Sequence, residues 1–257
     1  MKAWPRGAER RVTGGTVALM VRGLLLGLVL ALLAACGGSA DAGGTTAAAT
    51  VADEVGPAPP AAPDTPPRRA VLVMGDSLSA AYNLAAEQGW VALLDARLAR
   101  EGRPWRMVNA SISGETSAGG ASRIEAALAE HRPGLVLIEL GANDGLRGLP
   151  LEATRANLAA MVRAAKAAGA GVLVIGMRLP PNYGPEYTEA FFALFGEVAR
   201  AEGVAYLPFL LEPIAFEESA FQPDRLHPTA EAQPRIAEHV WAALEPLLDR
   251  APVAAAP

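Results

Sequence analysis

Five short apolar runs alternate with longer amphipathic segments between Arg69 and Leu248. The runs are AVLVM (70–74), RMVNA (106–110), LVLIEL (135–140), GVLVIGM (171–177) and VAYLPF (204–209). Helical periodicity covers 90–102, 117–131, 151–169, 185–203 and 230–248, and glycine follows most of these segments as a stop signal. Continuous apolar strands separated by helices are typical of a parallel sheet with both faces covered. The pattern therefore predicts a doubly wound α/β domain over 70–248, an α/β/α sandwich with a five-stranded parallel sheet.

The first 35 residues have the pattern of a signal peptide. Five basic residues (Lys2, Arg6, Arg10, Arg11 and Arg22) precede the apolar stretch GLLLGLVLALLAA, which runs from Gly23 to Ala35. Those thirteen residues are short of the roughly 20 that a membrane-spanning helix needs. An uncleaved anchor that reaches back through Thr16 is the alternative. A start of translation at Met20 would leave a compact signal of the same kind.

Cys36 is the only cysteine of the chain, which excludes an intramolecular disulfide and a cysteine-built metal site. The segment Leu33-Ala34-Ala35-Cys36 resembles the lipobox of bacterial lipoproteins, in which the cysteine carries lipid. Gly37 after it resembles lipoproteins that are passed to the outer membrane. We therefore expect a periplasm-facing lipoprotein of the bacterial cell envelope, attached to the outer membrane through lipidated Cys36.

Two segments rich in small residues and proline flank the predicted domain. Residues 36–69 lack apolar periodicity and predict a tether, and residues 249–257 predict a disordered tail. The whole chain has a formal charge of -5, with no basic stripe, so nucleic acid is not an expected partner. The histidines are few and scattered and no H-E-x-x-H is present, so we expect neither a metal nor another cofactor.

Polar blocks follow the first three predicted strands, where a doubly wound sheet binds its ligands. GDSLSAAYNL places Ser77 where the strand is expected to turn into a helix, so that its hydroxyl lies at a helix N-terminus. Helix capping by Ser77 or Asp76 is the alternative. Gly114 in NASISGETSAGG offers an unobstructed N–H. In LGANDGLRG, Asn143 has an amide that could donate to an oxyanion, whereas Asp144 is interpreted as a turn residue.

A fourth block, DRLHPTAEAQ, precedes the last helix. Asp224 stands three residues before His227, a spacing that lets the carboxylate reach the imidazole and fix its tautomer. The other histidines lack such a partner: His131 is predicted at a helix end, and His239 within the last helix has a surface or packing role. No G-x-S-x-G and no phosphate-binding P-loop occur.

These four blocks together resemble the GDSL or SGNH hydrolases, which are named for the Ser, Gly, Asn and His of the blocks. The similarity is closest to the thioesterase I, lysophospholipase and arylesterase branch and extends over nearly all of 70–248, through RLPPNYGPEY, LPF and EAQPRIA. The resemblance implies Ser77 as nucleophile, His227 as base and Asp224 as its orienting partner. It also implies an oxyanion hole made by the N–H groups of Ser77 and Gly114 and by the Asn143 side chain.

Two positions depart from the pattern of that family. Ala81 and Arg225 stand where many relatives have glycine, which affects the expected shape of the pocket but none of the reacting groups.

The chain is expected to be an exported serine esterase that hydrolyses carboxylic esters or thioesters, such as aryl esters and lysophospholipids, through an acyl-serine intermediate. A polysaccharide O-acetylesterase is one alternative, and a non-catalytic surface lipoprotein that binds glycan or lipid is another. Lysophospholipid and aryl esters are expected to be preferred over acyl-CoA. Cleavage before Cys36 removes five basic residues and Glu9, a loss of +4 that takes the charge from -5 to -9, and such a surface repels a polyanion.

Overall fold

The computed structural model describes residues 68–250 of the chain. The predicted signal peptide (1–35), Cys36, the tether up to residue 67 and the tail beyond residue 250 lie outside these residues. No helix within 68–250 is both long and apolar enough to cross a membrane.

A five-stranded parallel sheet forms the centre of the domain, as the apolar runs predict. Its strands are β1 (Arg69–Gly75), β2 (Trp105–Asn109), β3 (Leu135–Glu139), β4 (Gly171–Ile175) and β5 (Ala205–Leu207). They lie in the order β2-β1-β3-β4-β5, and every neighbouring pair is parallel. The apolar residues of β1, β3 and β4 are completely buried or nearly so, because helices cover both faces of these central strands.

Within residues 68–250, six α-helices cover the sheet. They are α1 (Trp90–Arg100), α2 (Ser117–His131), α3 (Ala142–Leu146), α4 (Leu151–Ala167), α5 (Pro185–Glu202) and α6 (Gln233–Leu248). Helix α1 packs against α6, whereas α4 packs against both α2 and α5. The doubly wound class is therefore confirmed. The predicted helix over 230–248 begins as a short 3₁₀ turn, Ala230–Ala232, before α6.

The strand order reverses between β1 and β3, which is where a doubly wound sheet opens a crevice at its carboxyl edge. Gly75 at the end of β1 lies in register with Glu139 at the end of β3. The GDSL block follows β1 and the block of Asn143 follows β3, so the topology brings the two blocks side by side.

Two local predictions differ from the structure. Ser77 does not begin a helix: it opens a series of turns over 77–83, and α1 starts only at Trp90. The positive φ angles of Ala81 (57°) and Asn83 (57°) interrupt helical winding there. The predicted turn at Asp144 is instead part of the short helix α3. The buried Asp144 carboxylate accepts hydrogen bonds from Ser117 and Thr154, which anchor α3 to α2 and α4.

Candidate active site

Ser77 is the second residue after the buried strand β1 and is half-buried at the carboxyl edge of the sheet. The preceding residue, Asp76, accepts a hydrogen bond from the N–H of Leu78 through Oδ1 at 3.0 Å. Asp76 thus has the capping contact that the sequence left open as an alternative, although it holds a turn and not a helix. This local bond fixes the backbone on both sides of Ser77.

The structure brings Ser77 together with the two residues of the fourth block. Nε2 of His227 lies 2.8 Å from Oγ of Ser77, and Nδ1 of the same ring lies 2.7 Å from Oδ2 of Asp224. Because a carboxylate only accepts, Nδ1 carries the proton in this arrangement and Nε2 is left to accept from the serine hydroxyl. Such a chain of contacts can take a proton from the hydroxyl as Ser77 attacks a carbon.

The Asp224 carboxylate is fixed by its own backbone. Oδ1 accepts from the N–H groups of Leu226 (2.9 Å) and His227 (3.0 Å), while Oδ2 faces the imidazole. Partial burial raises the pKa of Asp224, but the hydrogen bonds from His227 and from the two backbone N–H groups outweigh it, and the pKa lies below its usual value. The carboxylate therefore remains ionised beside the ring.

The loop that carries Asp224 and His227 is closed by an antiparallel bridge between Phe221 and Pro228. Gln222 ties this loop to the GDSL turn, since its Nε2 donates to the carbonyl of Tyr82 and to that of Pro228, each at 3.0 Å. The ring of Tyr82 lies against the His227 ring, with centroids 4.3 Å apart. Gln222 and Tyr82 could not be singled out from the sequence, because their contact joins segments 140 residues apart.

The predicted oxyanion hole includes two backbone N–H groups that can donate hydrogen bonds. Within residues 68–250, the N–H groups of Ser77 and Gly114 have no hydrogen-bond acceptor. Gly114 has φ = 79°, a left-handed conformation that favours glycine, and its carbonyl accepts from Arg147 at 2.8 Å. Both residues line the same cavity, so their N–H groups can bind an anion that forms there.

Asn143 lies in the first turn of α3 and lines the same cavity as Ser77 and Gly114. Its Nδ2 donates to Oδ2 of Asp76 at 3.0 Å and to the carbonyl of Glu115 at 3.0 Å. The side chain thus lies where the sequence analysis expected it, but both of its amide hydrogens have protein acceptors.

Two buried carboxyl groups lie beneath the GDSL turn. Oε2 of Glu139 accepts from Oγ of Ser79 at 2.7 Å and from the N–H of Asp76 at 3.3 Å. Burial is the main cause that raises the pKa of Asp76 to about 6, and burial together with the charge of Asp76 raises the pKa of Glu139 well above its usual range. Glu139 could not be singled out from the sequence, because it stands inside an apolar run.

A cavity of about 600 Å³ opens next to Ser77 and His227. Its polar end is formed by the residues already described. The remainder is lined mostly by apolar side chains from the loops after β4 and β5, among them Met177, Leu179, Phe209, Leu211, Phe216 and Phe221. A cavity with convergent polar groups at one end and apolar walls elsewhere fits a ligand with an apolar chain.

The other two histidines do not line this cavity. His131 is the last residue of α2, as predicted, and Nε2 of His239 lies 3.0 Å from the carbonyl of Phe209, where it ties α6 to the loop after β5. In the part of the chain that the structure describes, no three His, Cys, Asp or Glu side chains are grouped so that they could hold a metal ion.

The two positions that depart from the family pattern share one backbone feature. Ala81 has φ = 57° and Arg225 has φ = 58°, so both adopt the left-handed conformation in which glycine is free of steric strain. The structure therefore explains why relatives of this chain would have glycine there.

Comparison with known proteins identifies close relatives. The chain is 55% identical over 178 residues to the esterase TesA of Pseudomonas aeruginosa, covering 69% of this chain and 89% of the relative. It is 44% identical over 170 residues to an arylesterase of Vibrio mimicus (66% and 85% covered). It is 42% identical over 183 residues to thioesterase 1/protease 1/lysophospholipase L1 of Escherichia coli strain K12 (70% and 85% covered).

Solved structures of esterases also resemble the fold of this chain. The crystal structure of TesA matches with a TM-score of 0.68 at 54% identity, over 70% of this chain and 99% of TesA. The esterase EstA from Pseudoalteromonas sp., inhibited by monoethylphosphonate, matches with a TM-score of 0.68 at 40% identity, over 70% and 99%. A model of the GDSL-like lipase/acylhydrolase family matches residues 73–234. The chain therefore belongs to the GDSL-like lipase/acylhydrolase family, and with it to the enzymes that hydrolyse carboxylic esters.

Proposed function

We propose that this protein is an exported, lipid-anchored serine esterase that hydrolyses aryl esters and lysophospholipids through an acyl-serine intermediate. The observation that carries the proposal is the chain of contacts from Asp224 through His227 to Ser77, which ends in a mostly apolar cavity. The names of the relatives, which include an arylesterase and a lysophospholipase, support the substrate classes.

The reaction proceeds in two acyl transfers. Oγ of Ser77 attacks the ester carbonyl while Nε2 of His227 takes the hydroxyl proton, and the carboxylate of Asp224 stabilises the imidazolium. The N–H groups of Ser77 and Gly114 stabilise the negative charge on the carbonyl oxygen, joined by the amide of Asn143. The alcohol leaves with the proton from His227. A water molecule then repeats the attack on the acyl-serine and releases the acid.

The charged groups near the cavity favour a neutral or zwitterionic leaving group over acyl-CoA. Arg178 lies 3.9 Å from Glu189, and Arg225 forms an ion pair with Glu218 at 2.7 Å, so each arginine already has an acidic neighbour. Arg147, which donates to the carbonyl of Gly114, has no carboxylate partner within residues 68–250. A polyanionic leaving group would therefore meet one unbalanced arginine, and no glycine loop that binds phosphate accompanies it. The expected charge of -9 after cleavage before Cys36 would further slow its approach.

Export and anchoring rest on the N-terminal sequence. The basic residues, the apolar stretch and the lipobox-like segment that ends at Cys36 support delivery to the cell envelope and attachment of lipid. Acyl-CoA is not expected outside the cytoplasm, whereas lysophospholipids are products of the membrane itself. The proposed location and the proposed substrates therefore agree.

A substrate panel tests this function. We would measure kcat/KM of the purified protein for p-nitrophenyl esters of increasing chain length, and for a lysophospholipid, an acyl-CoA and an acetylated glycan. The matched control is Ser77→Ala, which should lower turnover roughly 10⁴-fold or more for every ester. We expect aryl ester and lysophospholipid to exceed acyl-CoA of matched chain length at low and at moderate salt. A preference for acyl-CoA at both salt levels, or for the acetylated glycan, would contradict the proposed substrates.

A further inference from the structure

The side-chain amide of Asn143 is fully hydrogen-bonded within the protein. Its nitrogen carries two hydrogens, and it donates to Oδ2 of Asp76 and to the carbonyl of Glu115, each at 3.0 Å. An oxyanion in the cavity can therefore receive a hydrogen from this amide only when one of the two bonds opens. Which bond opens decides how Asn143 enters the reaction.

The two acceptors differ in strength. Asp76 presents a carboxylate that is 1% exposed, whereas Glu115 presents a neutral backbone carbonyl. A hydrogen bond to an ionised acceptor is roughly twice as strong as one between neutral groups. The bond to Glu115 is therefore the one that an oxyanion displaces. The bond to Asp76 persists and keeps the nitrogen of the amide at the cavity.

Hydrogen bonds fix both the side chain and the backbone of Asp76. Its Oδ1 accepts from Leu78, and its N–H donates to Glu139, whose carboxyl also accepts from Ser79. Gly75 makes this arrangement possible, since a Cβ there would lie 2.7 Å from Oγ of Ser79 and 2.8 Å from Oε2 of Glu139. Burial, followed by the charge of Asp76, raises the pKa of Glu139 well above its usual range, which favours the neutral form of Glu139 beside the Asp76 carboxylate.

We propose that Asp76 is a positioning residue of the esterase site, whose carboxylate orients the Asn143 amide so that the hydrogen now donated to Glu115 passes to the oxyanion. This inference rests on the acyl-serine function proposed above. Asp76 acts through Asn143 and does not touch the reacting atoms. An asparagine at position 76 would keep an acceptor for the N–H of Leu78 but would turn an NH₂ group toward the amide of Asn143. Two donors cannot pair, so the amide would lose its orientation.

A double-mutant cycle on p-nitrophenyl ester hydrolysis tests the proposal. Asp76→Asn should lower kcat roughly 10²-fold, as for the loss of one oxyanion donor, with KM changed less than about threefold. In the Asn143→Ala background, the same substitution should lower kcat by less than about threefold more, because the residue through which Asp76 acts is already absent. Thermal unfolding checks that each variant is folded. If Asp76→Asn does not fold, Asp76→Ala takes its place in the same cycle.

Asp144→Asn is the matched control. It makes the same isosteric change in a neighbouring buried carboxylate that bonds to Ser117 and Thr154 and makes no bond to the amide of Asn143. Its kcat should stay within about threefold of the starting protein.

Three results would overturn the positioning role: an unchanged kcat in Asp76→Asn, an equal loss in both backgrounds, or an equal loss in Asp144→Asn. The proposed function itself would be overturned by a different result: a starting protein that hydrolyses no ester, or ester hydrolysis that persists in Ser77→Ala.

Discussion

The left-handed backbone conformation of Arg225 predicts that Arg225→Gly stabilises the folded protein. Arg225 lies between Asp224 and His227 with φ = 58°. A residue with a Cβ pays roughly 1–2 kcal/mol for that conformation, and glycine does not. Glycine loses about 0.5–1 kcal/mol through its greater freedom in the unfolded chain. The difference favours Arg225→Gly by about 0.5–1 kcal/mol.

The contacts of the Arg225 side chain change this figure little. Its ion pair with Glu218 joins side chains that are 73% and 72% exposed, and such surface pairs contribute little to stability. Ala81→Gly is an informative comparison, because Ala81 has φ = 57° but is only 8% exposed. Removal of its buried methyl group costs about 0.8 kcal/mol, which offsets most of the relief of strain.

Thermal unfolding of the purified variants checks this reasoning. For a domain of this size, the gain in Arg225→Gly corresponds to a rise in Tm of roughly 1–4 °C, and Ala81→Gly should leave Tm nearly unchanged. A Tm of Arg225→Gly at or below that of the starting protein would refute the assignment of strain to this residue. A gain in Ala81→Gly equal to that in Arg225→Gly would show that the buried methyl group contributes nothing.

Two further predictions concern Asp76 and Cys36. Because the pKa of Asp76 is raised from 3.8 to about 6, the folded state binds a proton between these pH values that the unfolded state has lost. The ionised form therefore costs about 3 kcal/mol at neutral pH, and this cost disappears as the pH falls from about 6 to 4. The unfolding free energy of Asp76→Asn minus that of the starting protein should accordingly be more positive at pH 7 than at pH 4, and an equal difference at both would contradict the raised pKa. Cys36→Ser should turn a membrane-pelleting protein into a soluble or unprocessed one; a cleaved variant that still pellets would contradict lipidation at Cys36.

The sequence predicted most of the fold because the sheet is buried on both faces. Every apolar run became a strand, and the boundaries of five helices were correct to within about two residues except at the start of α6. The expected helix at Ser77 and the expected turn at Asp144 were wrong. Both depend on interactions that no local pattern encodes: positive φ angles at Ala81 and Asn83 in the first case, and the bonds of Ser117 and Thr154 to a buried carboxylate in the second.

The candidate site was predictable as far as its polar residues stand in recognisable blocks. Ser77, Gly114, Asn143, Asp224 and His227 all line the cavity or contact a residue that does, and their catalytic roles remain predictions.

The partners of these residues were not predictable in the same way. Glu139 reads as part of an apolar run, and its contact with the GDSL turn arises only from the register between β1 and β3. Likewise, the sequence suggested an oxyanion donor at Asn143 but not the two acceptors that already hold its amide.

The nucleophilic role of Ser77 is the central claim, and covalent labelling tests it most directly. The purified protein and its Ser77→Ala variant would be treated with a fluorophosphonate, and intact mass and peptide mapping would locate the adduct. The contacts of His227 with Ser77 (2.8 Å) and Asp224 (2.7 Å) predict one phosphonyl group on Ser77 and none on the variant. An unlabelled protein that still hydrolyses esters, or an adduct on a different residue, would contradict the account.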